Sequence, residues 1–476
     1  MALCFCLRPA TLLAQANNNG GNNGGNNGGN NQNGGGNVQN GNVGGGGNRP
    51  AGVFVSPEGV LRVTSFGGSS EPLLRKWQAE SKTRLPGALA KASPLRKISL
   101  SRLEAAVAQR LAKNQPLTDE MRCLAGLTRL QYVFYYPDTK EIVVAGPAEP
   151  FAADAAGRFV SLDTGRAICE LQDLVVALRA YPPGGDPLRA ISVSIDPTAE
   201  GLKKMQEFLV GLGGQGVKAQ DTEFIVDGLK KSLGLQNVTV RGISAETHFA
   251  QVLVEADYRM KLVGIGLENP AVKMPSYVSK ANPTAVNRNA LTRWFFVPDY
   301  ACVRTSKDKL AMELVGDGVK LVGENELVQA DGSRAATGGE NKASQMFCQA
   351  FTEKYPEIAK RSPVYAQLRN LIDMVVAAAY IQQQDFYGQA DWKMPVLGDE
   401  DRFAVQTYET PRTVETACAA VWKGSRLMTP IGGGVEIYTS RALDSNTRLP
   451  DEHGKVAAVR QKIDVGQAPL GEWWWD

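Results

Sequence analysis

The stretch THFAQVLVEADYRMKLVGIGLE, residues 247–268, has the densest pattern of apolar and charged residues in the chain. Two acid–base pairs stand four residues apart with the acid first, the favourable order along a helix: Glu255 with Arg259, and Asp257 with Lys261. These pairs are expected to be solvated. The apolar residues recur every three or four positions and predict one buried helical stripe, formed by Phe249, Val252, Leu253, Ala256, Met260 and Val263.

A strand is the alternative for this stretch, because alternate residues from 250 to 262 are mostly apolar. That run is longer than a usual strand, and its Ala, Gln, Glu, Arg, Met and Lys content favours a helix. We therefore predict a helix that Ser244 caps at its start and that Gly264 and Gly266 end.

Composition sets the broad class of the protein. The 476 residues suffice for two or three domains, and an apolar content of 43% allows a substantial core. The 52 basic and 49 acidic residues leave a net charge of +3. This balance lacks the electrostatic footprint of a nucleic-acid-binding protein. No stretch has the roughly 18 uncharged apolar residues of a membrane helix, so we predict no integral membrane span.

The N-terminus indicates export. Residues 1–16, MALCFCLRPATLLAQA, are similar to the end of a secretory signal with an A-x-A cleavage site at residues 14–16. An ordinary N-terminus is the alternative, because the apolar part is short and Arg8 interrupts it. Residues 17–48 contain 14 Asn, 14 Gly, two Gln and two Val, so they lack the apolar area to fold and are expected to act as a spacer. We predict a periplasmic or extracellular protein of the cell envelope.

The predicted fold is mixed α+β. Residues 190–268 follow a β-α-α-β-α order that favours a partly parallel sheet, and short runs from Arg293 to residue 323 predict an antiparallel meander. Further predictions are a helix over 341–355 that Pro356 ends, a helix from Pro363, a helix over 414–422, and a strand over 435–438 after three glycines. The predicted segments are a signal peptide (1–16), a disordered linker (17–50), an N-terminal α+β lobe (51–188), a central region with the meander and its helices (189–445), and a C-terminal tail (446–476).

Several long segments resemble a family of exported planctomycete proteins with a single large domain of unknown function. The resemblance covers residues 51–440 and rests on ISVSIDPTAEGL, the organising stretch 247–268, RWFFVPDY, LVGENE and FTEKYPEIAKRSPVYAQLRNLIDMVVAAAYI, in that order. It implies a bacterial, exported protein. It brings no activity, ligand or site residue with it.

Histidine and cysteine restrict the chemistry that the chain can perform. Only His248 and His453 occur, too far apart for a helix-borne zinc motif, and the cysteines form no CxxC pair. We therefore predict no metal site and no cofactor. A Ser-His-Asp triad would have to use one of these histidines, and the chain has no G-x-S-x-G elbow. His248, near a helix start, is interpreted as a surface or capping residue.

Carboxylates are the remaining candidates for catalysis. Glu255, Asp257 and Asp373 lie on the two most strongly patterned helices, and two facing acids could hydrolyse a glycoside. Each of the three also has a basic residue four positions away, Arg369 in the case of Asp373, so solvated ion pairs are the alternative.

The aromatic C-terminus is the candidate binding feature. Trp473, Trp474 and Trp475 end the chain with Asp476, and exposed tryptophans commonly mark an interaction surface. They could dock on an envelope protein or a glycan, or fold back onto their own domain. The leading functional hypothesis is a non-catalytic binding or structural module, and the alternative is a carboxylate-dependent envelope hydrolase directed at glycan or peptide. The sequence leaves open whether the protein is an enzyme.

Overall fold

The predicted central helix is confirmed in the computed structural model of the protein, where it spans His248–Gly264. The cap is Thr247, whose hydroxyl accepts the amide of Ala250 at 3.2 Å, so the prediction of Ser244 as the cap is wrong. Thr247 is the last extended residue before the helix and lies in the position that a cap requires. The structure describes residues 52–63, 71–212, 221–281, 290–328, 334–336, 341–418, 431–467 and 471–476. The predicted signal peptide and linker lie outside these ranges.

Helices cover much of the described chain, and they are numbered here in chain order. They are α1 (Glu71–Arg84), α2 (Leu100–Ala112), α3 (Asp119–Arg122), α4 (Leu171–Ala180), α5 (Ala199–Gly211), α6 (Thr222–Leu233), α7 (His248–Gly264), α8 (Tyr277–Lys280), α9 (Lys342–Arg361), α10 (Pro363–Gln383), α11 (Phe386–Gln389), α12 (Thr439–Ala442) and α13 (Lys455–Lys462).

The strands are numbered in the same way. They are β1 (Val53–Val55), β2 (Val60–Val63), β3 (Ser93–Ser99), β4 (Tyr132–Tyr136), β5 (Glu141–Ala148), β6 (Phe151–Ala153), β7 (Phe159–Ser161), β8 (Ile191–Asp196), β9 (Leu235–Arg241), β10 (Ala290–Pro298), β11 (Val303–Thr305), β12 (Ala311–Leu314), β13 (Val319–Val328), β14 (Arg334–Ala336), β15 (Thr413–Glu415), β16 (Ile431–Ile437) and β17 (Trp474–Trp475).

Three sheets form among the described residues, which confirms the predicted α+β class. The largest has the order β1-β2-β15-β9-β8-β16-β10-β13-β14, a second has the order β11-β12-β4-β5-β3-β17, and β6 pairs with β7. Helix α7 packs against β8, β10 and β16 of the nine-stranded sheet. Helix α10 packs against α4, α7 and α9 and also contacts β4 of the six-stranded sheet. The two helices with the most regular apolar spacing therefore lie in the core between the sheets.

The pairing of β8 with β9 corrects the expected parallel arrangement. These strands are antiparallel, in register from Ser192 opposite Arg241 to Asp196 opposite Asn237. The connection contains two helices, α5 and α6, which pack against each other. In a β-α-β unit, one helix carries the chain back so that the second strand runs parallel to the first. Here a second helix reverses the chain once more, and β9 therefore runs antiparallel to β8. Parallel pairs occur elsewhere in the sheet, between β10 and β16 and between β2 and β15.

The predicted meander is also wrong, because its strands divide between the two large sheets. Strand β10 pairs directly with β13, whereas the hairpin of β11 and β12 leaves this sheet and joins β4. The β4–β5 hairpin uses only one side of β4, so the backbone groups on the other side are available to pair with β12. The sequence pattern identifies the strands but does not specify which open edge each one joins.

Two local predictions fail for packing reasons. Helix α9 continues through Pro356, because the buried Tyr355 and Ile358 on either side hold the second half of the helix in the core. In the range 414–422, Val414 lies in strand β15 between β2 and β9, and residues 419–422 lie outside the described residues. The predicted strand over 435–438 is observed as β16, which begins earlier and includes the three glycines before Val435. The predicted helix after Ser362 is confirmed, with Pro363 in its first turn.

The sheets do not follow the predicted division at residue 188. Strands β1 and β2 join the nine-stranded sheet, while β11, β12 and β17 join the sheet that β3, β4 and β5 build. The described residues from Gly52 to Asp476 belong to one compact unit. None of the described helices is both long and apolar enough to cross a membrane.

Candidate functional site

Glu255, the first candidate acid, is buried in a double ion pair. Its side chain is 1% exposed and accepts two hydrogen bonds from Arg158 Nη2, at 2.7 and 2.8 Å. Arg259 Nε donates a third at 2.8 Å, so the expected pair one helical turn away does form. The expectation that this pair is solvated is wrong, because α10 and the segment around Arg158 cover this side of α7.

Asp257, the second candidate acid, is fully buried on a different side of α7. Residues two apart on a helix point about 200° apart, so Glu255 and Asp257 cannot converge on one substrate. Lys261 Nζ lies 2.7 Å from Asp257 and also donates to the carbonyls of Ile195 at 2.9 Å and Gly433 at 3.2 Å. All three ammonium protons therefore have acceptors. This pair, too, is buried instead of solvated.

Burial raises the pKa of Asp257 to about 6, although Lys261 acts in the opposite direction. The native state thus holds the Asp257 proton more tightly than the unfolded chain does. The corresponding stabilisation is complete below the ordinary pKa of about 3.9 and is lost as the pH rises through about 6.

We expect this titration to be visible in the pH dependence of stability. The difference in free energy of unfolding between the wild type and the matched D257N/K261M variant should fall by an amount on the order of 2 kcal/mol between pH 4 and pH 6. Urea denaturation of both proteins across this pH range measures the difference. The other carboxylates contribute equally to the stability of both proteins, so their contribution cancels. A difference that does not change with pH contradicts the buried titration.

Asp373, the third candidate acid, lies on α10 and is paired with a residue that the sequence did not indicate. Arg129 Nε contacts its carboxylate at 2.8 Å, and the Asp373 side chain is 2% exposed. The expected partner Arg369 instead donates to the carbonyl of Thr128 at 3.4 Å. Burial raises the pKa of Asp373, while Arg129 and Arg369 lower it. Arg129 comes from the loop before β4, 244 residues away, which spacing rules cannot reveal.

The terminal tryptophans are packed against their own domain. Trp474 and Trp475 form β17, which pairs with Ile98 and Lys97 of β3. Trp473 is 4% exposed and Trp475 7% exposed, while the half-buried Trp474 has the guanidinium of Arg96 over its ring at 4.5 Å. Arg96 also binds Asp476 at 2.8 and 2.9 Å. Two of the three rings thus have little surface left for a partner.

A cluster of ionisable residues that the sequence analysis missed lies where helices α4 and α7 begin. Glu170 immediately precedes α4, Asp173 lies in the first turn of α4, and His248 is the first residue of α7. Their exposures are 8%, 4% and 5%. One possible ligand atom from each lies within 4.8 Å of the others. We call these three residues the histidine–carboxylate centre.

His248 is held from both sides of its ring. Nδ1 lies 2.9 and 3.0 Å from the two oxygens of Asp173 and donates its proton to this carboxylate. Nε2 lies 3.9 Å from Glu170 Oε1 and 3.4 Å from the amide nitrogen of Gln367. The interpretation of His248 as a surface or capping residue is wrong, because the ring is buried and Thr247 caps the helix.

The two carboxylates control the charge of the ring. Burial alone would lower the pKa of His248, but Asp173 and Glu170 outweigh burial and raise this pKa to about 9. The Gln367 amide nitrogen is itself a donor and therefore disfavours a proton on Nε2. The amide carries only a dipole, whereas the two carboxylates carry full charges, so the carboxylates determine the direction of the pKa shift. Burial also raises the pKa of Glu170, and His248 lowers it.

The centre is connected to Glu255 through a buried polar chain. Gln367 accepts a hydrogen bond from Arg158, which in turn binds Glu255. The amide nitrogen of the same glutamine faces His248.

Within the sequence, Glu170 and Asp173 share a helix face because they stand three residues apart. Nothing in their spacing points to His248, which lies 75 residues beyond Asp173.

Comparison with known proteins gives one match. A family model described as a protein of unknown function (DUF1598) matches residues 193–277. This range includes α5, α6, β9 and α7, and therefore His248, Glu255 and Asp257. No curated protein matches the chain, and no solved structure matches it. Over residues 193–277, the chain is thus similar to a family whose function is unknown.

Proposed function

We propose that this protein is exported and acts in the bacterial cell envelope as a non-catalytic binding or structural module. The A-x-A sequence at residues 14–16 and the Asn/Gly-rich spacer after it support export. The resemblance to exported planctomycete proteins points in the same direction. An uncharged spacer also suits a folded body that works at some distance from its attachment point.

The pairing of the candidate acids is the observation that carries the non-catalytic proposal. The side chains of Glu255, Asp257 and Asp373 are each at most 2% exposed, and each binds an arginine or a lysine at 2.8 Å or less. A hydrolase needs two acids that face one substrate, with one of them available to transfer a proton. Here the acids face different partners, and their charges are used to hold α7 and α10 in the core.

The histidine–carboxylate centre does not supply a hydrolytic triad in the described residues. The side chains that contact His248 Nε2 are Glu170 and Gln367, and neither is the hydroxyl or thiol nucleophile of such a triad. Among the described residues, no serine, threonine or cysteine side chain forms a hydrogen bond with the ring. This observation supports a structural role for the dyad of His248 and Asp173.

An activity assay separates the proposed function from the hydrolase alternative. The purified full chain is incubated with peptidoglycan, envelope polysaccharide and a mixed peptide library, and new reducing ends and new amines are measured. We expect no release above the buffer control. The control is the E255Q variant, with its fold checked by circular dichroism. Release by the wild type that E255Q abolishes supports the hydrolase instead.

Export is tested separately by mass spectrometry of the N-terminus in fractionated bacterial cells. We expect the chain in the envelope or medium fraction to begin at residue 17, after the A-x-A sequence. The matched control replaces Ala14 and Ala16 with bulky residues, which should block cleavage. Recovery of the uncleaved wild-type chain from the cytosol alone contradicts the proposal.

A further inference from the structure

We propose that Glu170, Asp173 and His248 form a binding site for one divalent transition-metal ion, of which Zn²⁺ is the representative. This inference does not depend on the proposed function, because a metal that holds two helix starts together suits a non-catalytic protein. The ion would stabilise the junction of α4 and α7 in the core. The sequence analysis predicts no metal site, since the ligands follow no spacing motif.

The charges at this junction are the first reason for the proposal. Elsewhere in the core, buried carboxylates such as Glu255, Asp257 and Asp373 are paired with arginine or lysine. Among the described residues, no lysine or arginine forms an ion pair with Glu170 or Asp173, and His248 is the partner of both. Two buried carboxylates thus share one imidazole. A divalent cation would supply the positive charge that Glu255, Asp257 and Asp373 receive from their bases.

The orientation of the imidazole is the second reason. Asp173 accepts the Nδ1 proton and fixes the ring, so that Nε2 points towards Glu170. A carboxylate that holds the far nitrogen of a metal-binding histidine is a recurring second-shell arrangement. Nε2 and Glu170 Oε1 are 3.9 Å apart. Two metal–ligand bonds of about 2.0–2.2 Å reach this separation only at a wide angle, so a tetrahedral ion would draw Nε2 and Oε1 slightly closer together.

The donor set indicates the class of ion. Nε2 of His248 and Oε1 of Glu170 are the ligand atoms of this arrangement, and such a nitrogen–oxygen set suits Zn²⁺ and neighbouring divalent transition metals, whereas Mg²⁺ and Ca²⁺ prefer oxygen alone. Gln172 donates to the second oxygen of Glu170 at 2.8 Å and leaves Oε1 towards the ring. The side chain of Glu170 retains 10% exposure, which gives an ion a route from solvent. The Gln367 amide beside Nε2 is the contact that an ion would displace.

Metal binding to the purified full chain tests the proposal directly. After removal of metals and dialysis against Zn²⁺, elemental analysis by mass spectrometry should find about one bound ion per chain. Competition with a chromophoric chelator gives the affinity for Zn²⁺, and Mg²⁺ and Ca²⁺ should not compete. We expect D173N, which removes the charge of the carboxylate that orients the ring, to weaken Zn²⁺ binding by about 10–100-fold. The H248Q variant should lose the site.

The second histidine provides a matched control. His453 is exposed in a short turn, so H453Q should bind Zn²⁺ as the wild type does. Because the chain has only two histidines, nuclear magnetic resonance of their imidazole nitrogens can follow both in the unmodified protein. Zn²⁺ should shift the His248 signals and leave those of His453 in place. This readout also covers the case in which H248Q does not fold.

Three results overturn the metal site. The first is the absence of bound Zn²⁺ after dialysis. The second is Zn²⁺ binding with unchanged affinity in H248Q and D173N, provided that both variants are folded. The third is a Zn²⁺-dependent shift of the His453 signals alone. In each of these cases the centre is a purely ionic junction. None of these results bears on export or on the absence of hydrolysis, so the two proposals fail separately.

Discussion

Replacing Glu255 with alanine is expected to lower the free energy of unfolding by about 3–5 kcal/mol. The substitution removes the acceptor of three hydrogen bonds and leaves the Arg158 guanidinium without its carboxylate, whereas Arg259 keeps Glu268 at 3.1 Å. The side chains of Arg158 and Arg259 are only 6% and 17% exposed, so water cannot replace the lost partner fully. The cost is therefore mainly that of unpaired buried charge.

Chemical denaturation at neutral pH, followed by circular dichroism, measures this loss. The E255Q variant keeps the shape and one acceptor oxygen and should fall between the wild type and E255A. The matched control is Glu200, which forms a similar pair with Lys204 at 2.7 Å on α5 but is 75% exposed. We expect E200A to leave the denaturation midpoint unchanged. Equal midpoints for E255A and the wild type would show that the buried network contributes no net stability.

Replacing Gly433 with alanine is expected to destabilise the nine-stranded sheet by about 3–5 kcal/mol, from backbone strain and overpacking together. Gly433 lies in β16 between β8 and β10 and has a φ of +129°. A Cβ atom at this position would lie 1.8 Å from the carbonyl oxygen of Trp294. Since that oxygen belongs to the neighbouring strand, it can move only if the sheet itself separates.

The thermal unfolding midpoint of G433A measures this effect. The control is Gly211 at the end of α5, where an added Cβ has no heavy atom within 4 Å. We expect G211A to be neutral or slightly stabilising, because alanine is the better helix former. If G433A unfolds at the wild-type temperature, β16 cannot lie as closely against β10 as described here.

The charged residues of α7 show why spacing alone predicts the site only in part. The rule of acid and base four residues apart correctly gives the contacts of Glu255 with Arg259 and of Asp257 with Lys261. The same rule says nothing about burial, and it misses Arg158 completely. Whether such a pair lies on the surface or in the core depends on which elements cover the helix. In this protein, α10 and three strands of the nine-stranded sheet do so.

Local pattern by itself determined most of the elements and the α+β class. The apolar period gives α7, the Ser362–Pro363 signal gives the start of α10, and both are observed. Caps and turns follow from the nearest few residues, so errors there are small, as with Thr247 in place of Ser244. These features depend on interactions within one or two helical turns, which the sequence displays directly.

Tertiary structure alone decided the strand partners and the composition of the ionic core. The hairpin of β11 and β12 joins β4 on the side that β5 does not use, and β9 runs antiparallel to β8 because two helices precede it. Asp173 and His248 meet only because α4 and α7 start at the same place. Such contacts join residues far apart in the chain, and their energies depend on burial, which emerges only when the elements pack together.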